Sequence, residues 1–522
     1  MKKALSLALA LSMLLALALP ALAEDNPYAE PVTFTMNVIY TDRVQEDPRT
    51  QFVLDKFNIK IDFVACSSSD FREKSRLWIT GDDMPDVMWT AFGITAPEHT
   101  EFVQSGLLRP WPSLDNYPNL KAIQESIGSA VTESIKMNGD RYYYFTEGGY
   151  MNTNQLRSYG LYYRTDWAKK AGLFHEDHTY TWDEVMQMAI AFGNGDFDEN
   201  GQKDTIGFTA VGGFYPSLFG FLQNAMGYAN FVPQDGAYHW RAGDADVVDA
   251  LKDFKYLYDQ GALYEEQIMA STNDGINKFA SGLAGVCANN WHMGQVELIV
   301  QGLEATYPGQ DVLDLVSPMR VINKDGSMST ELSDGYWGEL SLSAHMDEKA
   351  LARFMDMFEY LASDEGFLLS AIGLKDKDYR YNDQGEIELL WEKDENGAYV
   401  NPYQVNAHRF ISLPRLYEGW ALESPASNEK AKVLGNRLND WIQACDNLKL
   451  QKTDWSLAVL TSETAPLYKG LVLSPTVNEK ISELVLSTTA DKIEEEYLAW
   501  IKSVQGQIQP VEEELTKVVF GK

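Results

Sequence analysis

The chain has 522 residues, with 43 Lys or Arg against 76 Asp or Glu and a formal charge of −33. That is too long for one hydrophobic core, so at least two domains are expected. A field of that sign argues against nucleic acid and anionic membranes as partners. The three cysteines, Cys66, Cys287 and Cys445, are odd in number and far apart. They read as small buried apolar residues rather than a disulfide framework.

Residues 1–23 have the form of an export leader: Lys2 and Lys3, an apolar run from Ala4 to Leu19, then the small-x-small Ala21-Leu22-Ala23. Cleavage there starts the mature chain at Glu24 and moves its charge to −35. The run is short for a membrane span, and no cysteine stands directly after it. The expectation is a soluble exported protein, periplasmic or extracellular, without a lipid anchor.

Val32 to Tyr40 alternates apolar and polar residues and predicts a strand. Asp47-Pro48 is an N-cap followed by proline at the first helical position, predicting a helix to about Phe57. Ile59, Ile61 and Phe63 alternate as a second strand. Asp70 and Glu73 form a capping-box pattern for a second helix, and Asp86 to Trp89 reads as a third strand. Strand-helix-strand order predicts a mainly parallel sheet flanked by helices. Ligands bind such sheets at the carboxyl ends of the strands, here Tyr40, the Cys66–Asp70 segment and Trp89.

The order recurs. Leu161–Arg164 predicts a strand, Thr181 and Glu184 a capping box opening a helix, and Ile206–Thr209 another strand. His175-Glu176-Asp177-His178 falls between them and reads as a solvent-exposed loop. Val247, Val248, Leu251, Phe254 and Leu257 have helical spacing, with Gly261 as the cap. Gly285–Ala288 predicts a short strand ending at Asn289-Asn290-Trp291. Glu348 to Leu361 is an amphipathic helix, and the C-terminal part is helical, with Ile493, Tyr497, Trp500 and Ile501 on one face.

Asp196-Phe197-Asp198-Glu199-Asn200-Gly201-Gln202-Lys203-Asp204 places oxygen side chains at positions one, three, five and nine and Gly at six. A hard cation needs that alternation and that reversal. The Gln202 carbonyl supplies position seven. Position twelve is Gly207 rather than the bidentate Glu of an EF-hand. The competing reading is an ion-free turn. Enzyme signatures are absent: no G-x-S-x-G, H-E-x-x-H or phosphate loop occurs.

Several segments, in order, resemble the extracellular solute-binding proteins of ABC transporters, of the large carbohydrate-binding type. They are Gly81–Val87, Gly106-Leu107-Leu108 with Tyr117–Leu120, Asn138–Tyr142, Leu161–Trp167, Thr181–Glu184 and Phe279–Val286. The resemblance spans most of residues 30–375 and fades from about Asp376. It implies a two-lobed type II periplasmic-binding-protein fold, each lobe a mainly parallel sheet with helices and the ligand in a cleft between. The lobes would be residues 24–156 plus 338–395, and 157–337 plus 396–522. Relatives of this length, including alginate-binding periplasmic proteins, carry a calcium loop in the second lobe, often with a further acid where this chain has Thr205. By that resemblance Asp196, Asp198, Asn200, Gln202 and Asp204 would hold a structural calcium ion. The partners implied are an oligosaccharide and a permease pair, for a monomeric receptor that is not an enzyme.

Sugars present an apolar face and a rim of hydroxyls, so aromatic planes with polar neighbours are sought. The candidates are Tyr40, Ser67, Asp70, Trp89, Tyr150, Arg157, Trp291 and Trp337. Each has a plainer reading: Asp70 as an N-cap, Arg157 as the partner of a protein acid, and each Trp as core. Trp167, Trp182, Trp441 and Trp500 are expected in the core. The alternatives to a sugar receptor are a secreted glycosidase-like enzyme, and a receptor for a peptide or other non-sugar solute.

Overall fold

The computed structural model describes residues 27–39, 43–66, 71–90, 97–126, 136–137, 141–148, 156–157, 159–210, 229–263, 274–290, 293–323, 325–332, 338–394, 399–403, 408–415, 427–451, 463–473 and 476–521. The chain opens with β1 (Val32–Ile39), α1 (Pro48–Phe57), β2 (Ile59–Cys66), α2 (Phe71–Gly81) and β3 (Val87–Thr90). Local chemistry fixes these bounds. Asp47 caps α1 by accepting from Arg49 N at 2.8 Å, and Pro48, which has no N–H to leave unpaired, takes the first turn. Phe34, Met36, Ile59 and Ile61 fill the core below. Beyond β4 (Leu108–Arg109) and β5 (Tyr144–Thr146) the chain leaves this sheet through β6 (Leu156–Arg157).

A second sheet follows, made of β7 (Tyr159–Arg164), β8 (Thr179–Thr181), β9 (Ile206–Ala210), β10 (Ala284–Asn290) and β11 (Val316–Ile322), in the order β8-β11-β7-β10-β9. Helices α3 (Trp182–Gly193), α4 (Ala245–Asp259) and α5 (Met293–Thr306) connect its strands. Thr181 and Glu184 form the expected reciprocal capping box at α3. After α4, Gly261 lies in the left-handed region at φ 71°. Gly261 N donates to Tyr258 O and Ala262 N to Leu257 O, the paired closure that satisfies a helix end.

The chain returns through β12 (Met328–Leu332) to β13 (Glu339–Ser343), which lies in the first sheet between β3 and β4 and also pairs with β5. Helix α6 (Glu348–Ala362) then packs Phe354, Met357 and Phe358 into the first core. Each large apolar side chain fully buried there stabilises by about 1.5–3 kcal/mol. Helix α7 (Glu429–Gln443), β14 (Leu448–Gln451), α8 (Ile493–Ser503) and α9 (Gln505–Phe520) follow. Leu434 and Leu438 of α7, Tyr497 of α8 and Val511 of α9 pack on the second sheet's side. No helix among the described residues is long and apolar enough to cross a membrane.

Two expectations need correction. Both sheets are mixed rather than mainly parallel. In the first, β1 pairs in parallel with β2 and β3, but β13 runs antiparallel to β3, β4 and β5. In the second, β7 is antiparallel to both β10 and β11. In each sheet the reversed strand is the one that arrives from the other sheet. It enters at the edge the other strands leave, so its direction is opposite. The change of core also comes later than residue 395, because Phe410, Ile411 and Leu413 pack in the first core.

Candidate functional site

The carboxyl ends of β1, β2, β3 and β5 share one edge of the first sheet. Strand β13 enters there, Glu339 facing Thr90 on one side and Thr146 on the other. In the second sheet β9 and β10 end at the edge where β7 begins, Asn290 facing Tyr159. Both connections run from one such edge to the other. On the way they pair with each other, Glu331 opposite Arg157 and Leu332 opposite Leu156. Strand β14 adds in parallel to β12, and Lys449 Nζ donates to Asp325 at 2.7 Å. The two edges are therefore joined by one pair of crossing strands, and ligands of open α/β sheets bind at such strand ends.

The first edge is lined by buried polar groups that the sequence reading did not single out. The Asn37 amide clips β1 to β3, donating to Trp89 O at 3.0 Å and accepting from Trp89 N at 2.9 Å. Thr90 Oγ donates to Glu339 at 3.4 Å, Gln124 Nε2 to Thr146 Oγ at 2.6 Å, and Glu147 N to Gly338 O at 2.9 Å. Buried polar groups must be paired, so this edge is fixed by side chains as well as by the ladder. The available signal was polar residues, Asn37, Glu147 and Glu339, interrupting apolar runs.

Trp89 has to be corrected as a stacking platform in this conformation. It is 1% exposed and meets the Phe71 ring edge-on at 5.6 Å, so neither face is offered to a ligand. Arg157 is described by its backbone alone, in β6 beside Glu331. Tyr40, Ser67, Asp70, Tyr150, Trp291 and Trp337 lie outside the described residues. The structure thus does not bring the eight candidates together as a described site.

The Asp196–Asp204 loop leaves α3 and reaches β9. Gly201 takes φ 86° at position six. Asp196 Oδ2 accepts from Gly201 N at 3.0 Å, Asp198 Oδ1 from Asn200 N at 3.4 Å, and Asn200 Oδ1 from Gln202 N at 2.7 Å. Alternate side chains therefore fold inward, as a cation loop requires. The Asn200 amide nitrogen spans Asp198 at 2.9 Å and Asp204 at 3.1 Å. Burial, then the charges of Asp204 and Asp196, push the Asp198 carboxyl above its ordinary range. Phe197 anchors the loop against Trp167 and Phe192. Thr205 Oγ donates to Phe192 O at 2.6 Å, so it closes the helix end. The oxygen donors fit a hard cation in kind and order. No group of three or more His, Cys, Asp or Glu side chains among the described residues is drawn together tightly enough to hold a metal.

The His175–His178 segment is a loop, with Glu176 and Asp177 exposed as expected and the two histidines partly buried. Tyr180 OH donates to Tyr163 OH at 3.1 Å, and the Tyr163 hydroxyl lies 2.6 Å from His178 Nδ1. His175 stacks on Tyr180 at 4.6 Å. Burial, then the nearby Arg437 charge, holds the His178 imidazole below its ordinary range. Trp167 and Trp182 are buried, while Trp441 and Trp500 pack at core margins. Cys66, Cys287 and Cys445 form no disulfide, and burial pushes the Cys287 thiol up to about 12.

Comparison with known proteins agrees with this geometry. Residues 44–292 match the family described as bacterial extracellular solute-binding protein, a family of binding proteins rather than enzymes. The chain is 26% identical over 311 residues to the lipoprotein LipO of Bacillus subtilis, 58% of each chain. It is 26% identical to the fructooligosaccharide ABC transporter substrate-binding protein FusA of Streptococcus pneumoniae, over 45% of each. These matches span about half the length of the relatives. In fold, the alginate-binding protein AlgQ2 without calcium ion superposes with a TM-score of 0.69 at 16% identity, covering 95% of this chain and 99% of that one. FusA in complex with kestose gives 0.66 at 16%, covering 94% and 99%. The fold is the type II arrangement of periplasmic solute-binding proteins. Residues 44–292 thus resemble the bacterial extracellular solute-binding family, and over nearly its whole length the chain has the fold of periplasmic solute-binding proteins.

Proposed function

We propose that this chain is the sugar-capturing component of an ABC importer, closing two lobes on an oligosaccharide and presenting it intact to a permease. The lobes are residues 24–156 with 338 to about 415, and 157–337 with the remainder. The observation that carries this reading is the pair of crossing strands, β6 and β12, which join the carboxyl edges of two separately cored sheets. Such a joint permits hinge closure, and a ligand that prefers the closed form shifts the population toward it. The relative named for fructooligosaccharides supplies the ligand class. In this reading the chain catalyses nothing, is exported by cleavage after Ala23, and works as a monomer.

In this reading Asp196, Asp198, Asn200, Asp204 and the Gln202 carbonyl hold a structural calcium ion. Its charge offsets the repulsion among the three carboxylates and ties α3 to β9. The side chains folded back around Gly201 support it, as does the description of a FusA EF-hand mutant among the structural neighbours.

The test is isothermal titration of residues 24–522 with kestose, nystose, trigalacturonate and alginate trisaccharide, followed by recovery of the sugar. Binding of one of them with recovery of the intact sugar supports the receptor. Cleaved sugar would establish an enzyme, and no binding across the set would point to a non-sugar solute.

A further inference from the structure

Strand β10 carries Asn289 as its penultimate residue, two positions before Trp291 and four before the start of α5. Asn289 is 0% exposed, and neither Nδ2 nor Oδ1 has a hydrogen-bond partner among the described residues. A buried amide left this way destabilises the fold, and native chains keep such groups rarely and for a reason. Its position supplies one. It stands at the carboxyl edge of the second sheet, opposite Gly160, the second residue of β7. Gly160 is itself held without a side chain, because a Cβ there would come within 2.4 Å of Leu438. The first turn of α5 adds a second unmet acceptor, the buried Gln295 Oε1, beside the free N–H groups that open any helix.

We infer that Asn289 is a specificity-determining residue of the sugar site, reading a pair of neighbouring hydroxyls on a neutral sugar ring. This inference rests on the receptor function proposed above and assigns it a substrate class. An amide offers one donor face and one acceptor face. A vicinal diol satisfies both, one hydroxyl accepting from Nδ2 while the other donates to Oδ1. A carboxylate accepts only, and would leave Oδ1 facing a second oxygen. The residue therefore selects for neutral sugars over uronates at this position, consistent with a chain of net charge −33. The amide is covered in this conformation, so pairing requires the end of β10 to part from its cover as the sugar enters.

The experiment separates binding from folding, because the two move in opposite directions. Asn289→Ala and Asn289→Leu are melted without sugar and titrated with kestose and trigalacturonate. The expected result is a sugar-free melting temperature equal to wild type or higher, with kestose affinity at least tenfold weaker and trigalacturonate affinity unchanged or improved. A melting temperature that falls while kestose affinity stays within twofold of wild type overturns the inference and makes Asn289 a structural residue. Should Asn289→Ala fail to fold, Asn289→Asp keeps the size and removes the donor. It is expected to lose kestose affinity by a similar factor, and unchanged affinity overturns the inference. Wild type that binds trigalacturonate but not kestose overturns this inference alone, whereas wild type that binds neither sugar and none of the wider set overturns the receptor reading with it.

Discussion

Gly338 sits where the second crossing re-enters the first sheet, and replacing it with alanine tests how tightly that junction is built. A Cβ at Gly338 would lie 2.3 Å from Glu147 Oε1 and 2.5 Å from Trp89 Nε1. Ordinary contact begins near 3.4 Å, so the neighbours must shift by about an ångström. Trp89 cannot give easily, being 1% exposed and packed against Phe71. Glu147 is held through its own N–H to Gly338 O. Overpacking of this kind costs about 1–3 kcal/mol. The stiffer unfolded chain returns about 0.4–1 kcal/mol, leaving a net loss of about 1.3 kcal/mol at mid-range. For a lobe of a few hundred residues, this corresponds to a melting temperature lower by roughly 2–8 °C. Differential scanning calorimetry reads it directly, with Gly294→Ala as the control. No atom lies within 4 Å of a Cβ at Gly294, and alanine is the better helix former, so that variant melts at or above wild type. A Gly338→Ala protein as stable as wild type would refute the packing argument.

Chelation should lower the melting temperature of wild type, while Asp196→Ala should melt low with or without calcium; at a hundredfold excess over Kd the ion contributes about 2.7 kcal/mol. Because burial and like charges raise the Asp198 pKa, its protonated form persists to higher pH than usual, so calcium affinity measured by titration should fall as pH drops through that raised value. His178 has a folded pKa below its ordinary 6.5, so the fold excludes a proton that the unfolded chain accepts. Its contribution is full above about pH 6.5 and declines as pH falls toward the folded value. His178→Asn, which tolerates the φ of 53°, should flatten that part of the melting-temperature profile. Tyr162 is 0% exposed with its hydroxyl unpaired among the described residues, so Tyr162→Phe should raise stability by about 1 kcal/mol in a denaturant melt and leave sugar affinity alone.

What could be read from the sequence was what neighbours in sequence decide. Asp47-Pro48, the Thr181–Glu184 capping box and the Gly201 reversal were all legible, because each is closed by residues a few positions apart. The direction of β13 was not, because its partner is remote: Ser341 Oγ donates to Met88 O across 253 positions, and no local pattern records which way a strand runs. The same holds for β7, whose alternation looks alike in either direction. Burial decided Trp89. A strand-end tryptophan fits a platform or a core equally well until Phe71 is found against its ring. Asn37 and Asn289 passed unnoticed because an asparagine in a strand carries no signature of whether its amide is paired. One is clipped to Trp89 on both sides and the other has no partner among the described residues, a difference only the fold creates.

The most direct test of the account is small-angle X-ray scattering of residues 24–522 with and without the sugar that binds, each sample then analysed for intact sugar. Two lobes hinged at β6 and β12 predict a smaller radius of gyration when the sugar is present, and sugar recovered whole. Binding with an unchanged radius, or sugar recovered cleaved, would contradict the claim that this chain is a closing receptor.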